Sequence, residues 1–426
     1  MSSPPDDLNG VPDGGVRAAL RSRSFSTLLA GYAVSAIGDG MTVVALAWLA
    51  IVLAHGHGTG VLVGAAIAAY TLPGMVAGMG LGRILSRWDP RSLVLADALL
   101  RAGSLGLVAV GAVLGILTPL EYVGLLAVSS LLGLLGVTGA LTSVVELLPE
   151  SQHVAGNSLI TVASFAAYIA GPALAGLVIA LAGPGPAIGA DAASYAVLVG
   201  AVVLSRRIQR PPAPTSEAQS MVRALGALRR QPSVLGITVL CVVFFGLYGP
   251  VEVALPVFVS QTLHAGPGVL GGYWTLFAIG ATAGGLGASY VQRFGLWRVA
   301  VAVMAAWGAC LVPFGFVDSV FVGFAALAVG GLVYGPFLPL KKTIIQRHSP
   351  PGSLTALAAA SAILTLPASP IGTALGGPLV ATIGPAPTLL ASGLATIAAA
   401  AVAAVILVIH QGKRSRQLGA TPTVPG

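Results

Sequence analysis

The feature that most limits what this chain can fold into is a succession of long apolar segments. The hydrocarbon core of a bilayer is about 30 Å thick, so about 20 helical residues rising 1.5 Å each can cross it. Twelve apolar runs of that kind follow one another, at 24–54, 59–86, 92–117, 120–148, 153–183, 186–206, 234–262, 267–292, 295–317, 318–346, 353–384 and 386–410. We therefore predict an all-α membrane protein with twelve transmembrane helices.

The composition agrees with a surface that is covered by lipid. Hydrophobic residues make up 56% of the chain and charged residues only 8%, whereas about a quarter of an ordinary soluble protein is charged. A soluble enzyme, a disordered regulator and a secreted disulfide scaffold are therefore excluded. With two cysteines in apolar runs and six histidines, we expect no metal site.

The basic residues indicate which helix ends face the cytoplasm, because loops rich in Lys and Arg stay on that side. If the N-terminus is cytoplasmic, all 21 basic residues except Arg101 fall on the inner side, and Arg101 lies within the third run. We therefore predict a multi-pass protein of the cell membrane with both termini in the cytoplasm. Residues 1–23 and 411–426 are expected to form cytoplasmic tails, and the first run is too long for a signal peptide.

The chain divides into two halves that resemble each other. Segment 207–233 is the one long polar loop, and it separates two predicted six-helix bundles, 24–206 and 234–410. Within this loop Ser216 could begin an amphipathic helix on the cytoplasmic leaflet, the alternative being a flexible basic linker. Several positions recur about half a chain length later: Gly171, Gly176, Gly183 and Pro184 correspond to Gly372, Gly377, Gly384 and Pro385. Both halves begin inside, so the repeat is parallel, as in transporters that bind substrate between two bundles.

Several motifs are similar to those of a known family. Residues 35–41 read Ser-Ala-Ile-Gly-Asp-Gly-Met, residues 82–91 form a basic loop, and residues 191–195 read Asp-Ala-Ala-Ser-Tyr. Over essentially its whole length the chain resembles the major facilitator superfamily, and within it the macrolide-efflux and enterobactin-exporter branch. The resemblance implies the major facilitator fold. The antiporter motif of that family is similar to a stretch of the fifth run that contains Gly171, Pro172 and Gly176.

Two acids inside predicted helices are candidates for proton coupling, because ionisable residues within a membrane are costly. Asp39 lies roughly 22 Å along the first run, and Glu252 lies at a similar depth in the seventh run, after Gly249 and Pro250. Burial penalises the charged form of an acid, which favours exchange of a proton. Alternatively, Asp39 faces a cationic substrate, or either acid is a buried polar contact that holds helices together.

Other charged residues are expected to form ion pairs. Asp97 and Arg101 are four residues apart on one helical face, where they can pair in a structural or a coupling role. Asp191, near the start of the sixth run, is expected to complement the helix dipole. The candidates for a cytoplasmic gate are Arg83, Arg87, Arg91, Glu146 and Glu150. Solvated charges at helix ends are the alternative for this last group.

Aromatic residues offer stacking surface to apolar or cationic compounds. The candidates for the wall of a substrate cavity are Tyr70, Tyr168, Tyr195, Phe244, Phe245, Tyr248, Trp274 and Tyr334. Each of them could instead pack in a bundle or face lipid.

No enzyme motif is found in the sequence. No nucleotide-binding glycine loop precedes a lysine, and hydrolase and metalloprotease motifs are missing. We therefore expect a secondary active transporter, without a cofactor, that exports small amphipathic or hydrophobic compounds by proton antiport and alternating access. The alternatives are a proton-coupled or facilitative importer, a lipid or lysolipid flippase, and a transport-inactive membrane sensor. The expected partners are a small-molecule substrate, protons and membrane lipids, without nucleic acid, and the expected state is a monomer.

Overall fold

The computed structural model describes residues 15–85, 90–133, 136, 143–205 and 221–419. The helices of the first half are α1 (Val16–Arg21), α2 (Arg23–Leu53), α3 (Thr59–Leu85), α4 (Pro90–Leu114), α5 (Pro119–Ser130), α6 (His153–Ala182) and α7 (Pro184–Leu204). Those of the second half are α8 (Met221–Arg229), α9 (Pro232–Val257), α10 (Pro267–Leu286), α11 (Ala288–Val291), α12 (Leu296–Leu311), α13 (Val320–Tyr334), α14 (Phe337–His348), α15 (Leu354–Thr365), α16 (Ala368–Ile383) and α17 (Pro385–Gly419). Short 3₁₀ turns lie at Glu150–Gln152, Gln292–Phe294 and Val312–Gly315, and a π-helical turn at Phe258–Thr262 follows α9.

The helices follow the predicted apolar runs. Within the described residues, 11 helical segments are long and apolar enough to cross a membrane, from Arg23–Leu53 to Pro385–Ile409. The remaining predicted run, 120–148, is described only as α5 and the helical residues 143–147. No β-strand occurs in the described part of the chain. The expectation of an all-α membrane protein is therefore confirmed.

Proline and glycine mark the helix boundaries. Proline is placed at the start of several helices, where its missing N–H is not needed, as at Pro119, Pro184, Pro232, Pro267 and Pro385. Gly183 and Gly384, which are equivalent in the two halves, have φ of 87° and 85° between successive helices. These left-handed values suit glycine because it has no Cβ to clash with the backbone. The repeated sequence thus makes the same turn twice.

The described residues form two compact units. One unit comprises Met1–Leu53 and Ala69–Thr215, and the other comprises Ala54–Ala68 and Ser216–Gly426. The beginning of α3 therefore packs within the second unit, where a Cβ added to Gly60 would lie 2.8 Å from the Cβ of Val380. Gln261 also donates a hydrogen bond of 3.1 Å to the hydroxyl of Thr59 in this unit.

The loop predicted to link the halves contains a helix. Ser216, the residue predicted to cap this helix, lies outside the described residues, and the helix is seen as α8. Leu228 of α8 is 1% exposed, and the helix packs on α15. Contact of α8 with lipid remains a prediction.

Glycines let the helices of each unit approach closely, because a backbone without a side chain can touch its neighbour directly. In the first unit, a Cβ added to Gly171 of α6 would lie 2.6 Å from the Cα of Gly40 on α2. In the second unit, a Cβ on the equivalent Gly372 of α16 would collide with the carbonyl of Gly246 on α9. The internal repeat therefore preserves a glycine crossing between two particular helices of each half.

Candidate functional site

A charge cluster lies inside the first unit, and Arg101 is at its centre. We define it as Asp39, Tyr70, Asp97, Arg101 and Tyr195, which come from α2, α3, α4 and α7. The Nε of Arg101 lies 3.2 Å from Oδ1 of Asp97, one helical turn away on α4. Both side chains are well buried, with 13% of Arg101 and 9% of Asp97 exposed. The four-residue spacing in the sequence thus corresponds to a buried ion pair.

Asp39 meets the same guanidinium from another helix. Its Oδ1 lies 3.8 Å from NH1 of Arg101, and it accepts hydrogen bonds of 2.6 Å from the Tyr195 hydroxyl and 3.2 Å from the Tyr70 hydroxyl. Arg101 in turn donates a hydrogen bond of 2.8 Å to the Tyr70 hydroxyl. The Asp39 side chain is 47% exposed, so it is the accessible acid of the charge cluster.

The two tyrosine rings also contact the cation. The Cζ of Arg101 lies 5.3 Å from the ring centroids of both Tyr70 and Tyr195. Guanidinium groups are attracted to the faces of aromatic rings at this distance. Tyr70 and Tyr195, which the sequence suggested as cavity residues, therefore position Arg101 and Asp39.

Asp191 lies beside the charge cluster in a setting that sequence reasoning missed. It is completely buried on α7, accepts a hydrogen bond of 2.5 Å from the Thr42 hydroxyl, and accepts another of 3.2 Å from the Ser194 hydroxyl. A Cβ on Gly38 would collide with both Asp191 and Ser194, so glycine at that position makes room for them. The four-residue spacing between Asp191 and Tyr195 was the available signal, because it places both on one face of α7.

The balance of charge determines what this region can do chemically. The carboxyl groups of Asp39 and Asp97 lie within 4.0 Å of the one guanidinium that the described residues place there, and that of Asp191 lies against Gly38, the residue before Asp39. An excess of carboxylate in a region of low dielectric favours the uptake of a positive charge. The region is therefore suited to bind a proton or a cationic group. Among the described residues, no group of three or more His, Cys, Asp or Glu side chains could hold a metal ion.

The antiporter-like motif on α6 packs against the part of α2 that carries Asp39. Gly171 and Pro172 are buried in α6, and Gly171 touches the backbone of Gly40, the residue after Asp39. Gly176, one turn further along α6, is also buried. The glycine crossing therefore fixes the position of α2 at the residue where the carboxylate leaves the helix.

The structure describes only some of the residues predicted to form a cytoplasmic gate. Arg87 and the side chain of Arg83 lie outside the described residues. Arg91 donates a hydrogen bond of 2.9 Å to the carbonyl of Val203. Glu146 is half-buried and Glu150 is exposed in the 3₁₀ turn before α6. A gate formed by these charges remains a prediction.

Glu252 occupies a comparable place in the second unit. Its Oε2 accepts hydrogen bonds of 2.7 Å from Thr373 and 3.3 Å from Ser369, both on α16. A Cβ on Gly249, one turn earlier on α9, would lie 2.5 Å from the carbonyl oxygen of Ser369. Each half thus has an acid next to its own glycine crossing, and Glu252 is held by hydroxyl groups where Asp39 is held by phenols and a guanidinium.

Aromatic residues form a second cluster, in the second unit. We define the aromatic cluster as Phe244, Phe245, Tyr248, Phe277, Trp307, Tyr334 and Phe337. The closest ring centroids are those of Phe244 and Phe337, 4.7 Å apart, and Trp307 lies 5.4 Å from Phe277. Trp274 contacts the edge of this cluster through Phe277 at 6.0 Å. Tyr168, in the first unit, is 60% exposed.

Sequence reasoning overlooked three members of the aromatic cluster, Phe277, Trp307 and Phe337. Two of them follow a predicted aromatic residue by three positions, Phe277 after Trp274 and Phe337 after Tyr334. Residues three apart lie on the same side of a helix. This spacing could therefore have identified Phe277, which shares α10 with Trp274, whereas Phe337 begins a new helix after Tyr334 and Trp307 has no such partner.

Known proteins resemble this chain in sequence and in fold. The chain is 28% identical over 368 residues to the uncharacterized MFS-type transporter y4rN of Sinorhizobium fredii, a match that covers 84% of this chain and 88% of that one. It is 29% identical over 402 residues to the multidrug efflux pump Tap of Mycobacterium tuberculosis, covering 89% and 91%. The crystal structure of the nucleoside transporter NupG superposes with a TM-score of 0.72 at 14% identity, covering 90% of this chain and 99% of that one.

The family model of the major facilitator superfamily matches residues 28–369, which run from the first turns of α2 to the start of α16 and contain every residue of both clusters. The resemblance that the motifs suggested thus extends over most of the chain. This protein is a member of the major facilitator superfamily of membrane transporters.

Proposed function

We propose that the protein exports small amphipathic or hydrophobic compounds from the cytoplasm by proton antiport and alternating access. Relatives that are named multidrug efflux pumps support the direction and the class of substrate. The buried Gly171 and Pro172 of the antiporter-like motif support exchange against an ion.

The observation that carries the proposal is the exposure of Asp39. Of the three acids near Arg101 it is the accessible one, with 47% of its side chain exposed, whereas Asp97 and Asp191 are buried. Asp39 is therefore the acid of this group that a proton would reach most readily.

Protonation of Asp39 changes the forces on Arg101. The neutral acid no longer attracts the guanidinium across 3.8 Å, and Arg101 keeps its ion pair with Asp97 at 3.2 Å. Asp39, Asp97 and Tyr195 lie on α2, α4 and α7. The loss of charge on Asp39 therefore alters the interactions of three helices at once. A proton that favours one conformation is thereby coupled to a substrate that favours the other.

The second unit supplies contacts that suit the proposed substrates. Phe244, Trp307 and Phe337 are fully buried, but the half-buried members of the aromatic cluster can offer ring surface to an apolar compound. One of them, Tyr248, lies one turn from Glu252 on α9. We assign substrate contact to the aromatic cluster, and Glu252 is the second candidate for the proton site.

The test measures proton movement together with transport. Inverted membrane vesicles are energised to an acidic interior, and a macrolide, a tetracycline and a catechol siderophore are added in turn. Accumulation of each compound and release of protons are followed in the same preparation. We expect at least one compound to be accumulated with release of protons, and the Asp39→Asn variant to lose that release.

Asp318→Asn is the matched control, because it makes the same chemical change at an exposed loop residue. The control should behave like the unaltered protein. Release that survives in Asp39→Asn but is lost in Glu252→Gln would move the proton site to the second unit. Accumulation without any proton release would refute antiport.

A further inference from the structure

One cation in the second unit takes no part in the function proposed above. Lys341 lies on α14, and its side chain is partly buried although it carries an ammonium group. The ammonium donates a hydrogen bond of 2.9 Å to the hydroxyl of Thr365, the last residue of α15. Within the described part of the chain, no carboxylate lies within 4.0 Å of it. An ammonium group has three N–H donors, and only one of them is used by Thr365.

The ammonium lies well inside the bundle. Its partner Thr365 lies about 16 Å along α15 from the first residue of that helix. The charge pattern predicts that α15 begins on the cytoplasmic side. Uncompensated charges at such depth are costly and mark functional sites in membrane proteins.

The surroundings of Lys341 are aromatic on one side. Phe337 lies one helical turn before it on α14, and the ring of Phe337 is 4.7 Å from Phe244 and 6.4 Å from Tyr334. Both predicted spans are interrupted here, at Gly335–Pro336 between α13 and α14 and at Leu366–Pro367 between α15 and α16. Interrupted helices are typical of substrate sites in transporters. The interruptions bring a cation, a hydroxyl and ring faces to one place.

We infer that Lys341 binds the anionic group of an amphipathic substrate, a carboxylate or sulfonate whose apolar part packs on the half-buried rings of Phe245 and Tyr334, which border the buried Phe337. The anion neutralises the ammonium and accepts the N–H donors that Thr365 leaves free. Hydrogen bonds to charged groups are stronger than those between neutral groups, so the charge of the ligand contributes to affinity. The inference rests on the proposed transport of small amphipathic compounds, and it narrows their class.

The chain offers a matched control for this site. Lys342 carries the same charge on the next residue of α14, but its side chain is exposed. Lys341→Met and Lys342→Met therefore change the net charge equally, and only the first removes the cation near Thr365. Lys341→Arg keeps a positive charge at the site.

The experiment compares two ligands with the same ring system and nearly the same size, one anionic and one neutral. Binding of 2-naphthoate and 2-naphthamide to the purified full chain, in nanodiscs of zwitterionic phosphatidylcholine, is measured by calorimetry. We expect naphthoate to bind about tenfold or more tightly than naphthamide, and the preference to disappear in Lys341→Met. Lys342→Met and Lys341→Arg should keep most of it. Retained binding of naphthamide by Lys341→Met shows that the variant is folded.

Three results would overturn the inference. They are equal affinities in the unaltered protein, a preference that survives in Lys341→Met, and a preference that Lys342→Met also removes. A repeat in nanodiscs that contain phosphatidylglycerol tests a lipid source for the anion. Loss of the preference there would assign Lys341 to a lipid headgroup and overturn a small-molecule site. Because no proton flux is measured, failure here is distinct from failure of the antiport test.

Discussion

Asp39 and Asp97 both form an ion pair with Arg101, and we predict different consequences for the protein when each carboxylate is neutralised. Asp97→Asn should destabilise the protein, whereas Asp39→Asn should leave its stability nearly unchanged and remove proton coupling. The reason is burial, because Asp97 is 9% exposed in its pair with Arg101 and Asp39 is 47% exposed.

The magnitudes follow from this difference. Removing one partner of a buried ion pair costs about 3–5 kcal/mol, whereas a half-exposed pair with a distance near 4 Å contributes about 0–1 kcal/mol. For a unit of this size each kcal/mol moves the unfolding midpoint by about 2–4 °C. Asp97→Asn should therefore lower the midpoint by roughly 6–20 °C, and Asp39→Asn by less than about 4 °C.

The assay is thermal unfolding of the purified protein, followed by tryptophan fluorescence at one pH and one detergent concentration. Arg101→Met and the double variant Asp97→Asn/Arg101→Met complete a cycle in which the second substitution should cost much less than the first. Equal loss of stability in Asp39→Asn and Asp97→Asn would refute the division of roles. Additive losses in the double variant would show that the pair is not coupled.

Two further predictions concern packing and helix ends. Gly171→Ala should lower the free energy of unfolding by about 1–3 kcal/mol because its Cβ would press on the backbone of Gly40. Gly106→Ala, at a position with open space on α4, should raise the free energy of unfolding by up to about 1 kcal/mol. Equal effects of the two substitutions in the same unfolding assay would contradict the contact between Gly171 and Gly40. Thr118→Ala should lower the free energy of unfolding by about 1 kcal/mol, since the Thr118 hydroxyl and the Glu121 carboxylate cap the start of α5 reciprocally. An unfolding midpoint equal to that of the unaltered chain would show that the cap contributes nothing to stability.

Most of the fold could be predicted because membrane helices depend on a simple property, the length of an apolar run. The predicted run 24–54 corresponds to Arg23–Leu53, and the run 353–384 corresponds to α15 and α16. The break between these last two helices was not predicted, although Pro367 lies within it. Proline is tolerated inside membrane helices such as α6, so its presence alone does not locate a break.

The site was harder to predict because it depends on contacts between helices. The pair of Asp97 and Arg101 could be anticipated, since both residues are on one helix. The approach of Asp39 to Arg101 joins α2 to α4, and no spacing in the sequence encodes it. Asp191 shows the same limit, because the Thr42 hydroxyl that donates to it lies on α2, which is far from α7 in the sequence.

The glycine crossings also restrict how this sequence can change over generations. Gly40 and Gly171 touch through backbone atoms, so a larger residue at either position cannot be compensated by trimming a side chain on the other helix. The rings around Phe244 contact one another through side chains, and a change in one can be balanced by a change in its neighbour. If the aromatic cluster contacts substrate as proposed, the range of accepted compounds can therefore diversify faster than the glycine crossings that hold the helices together.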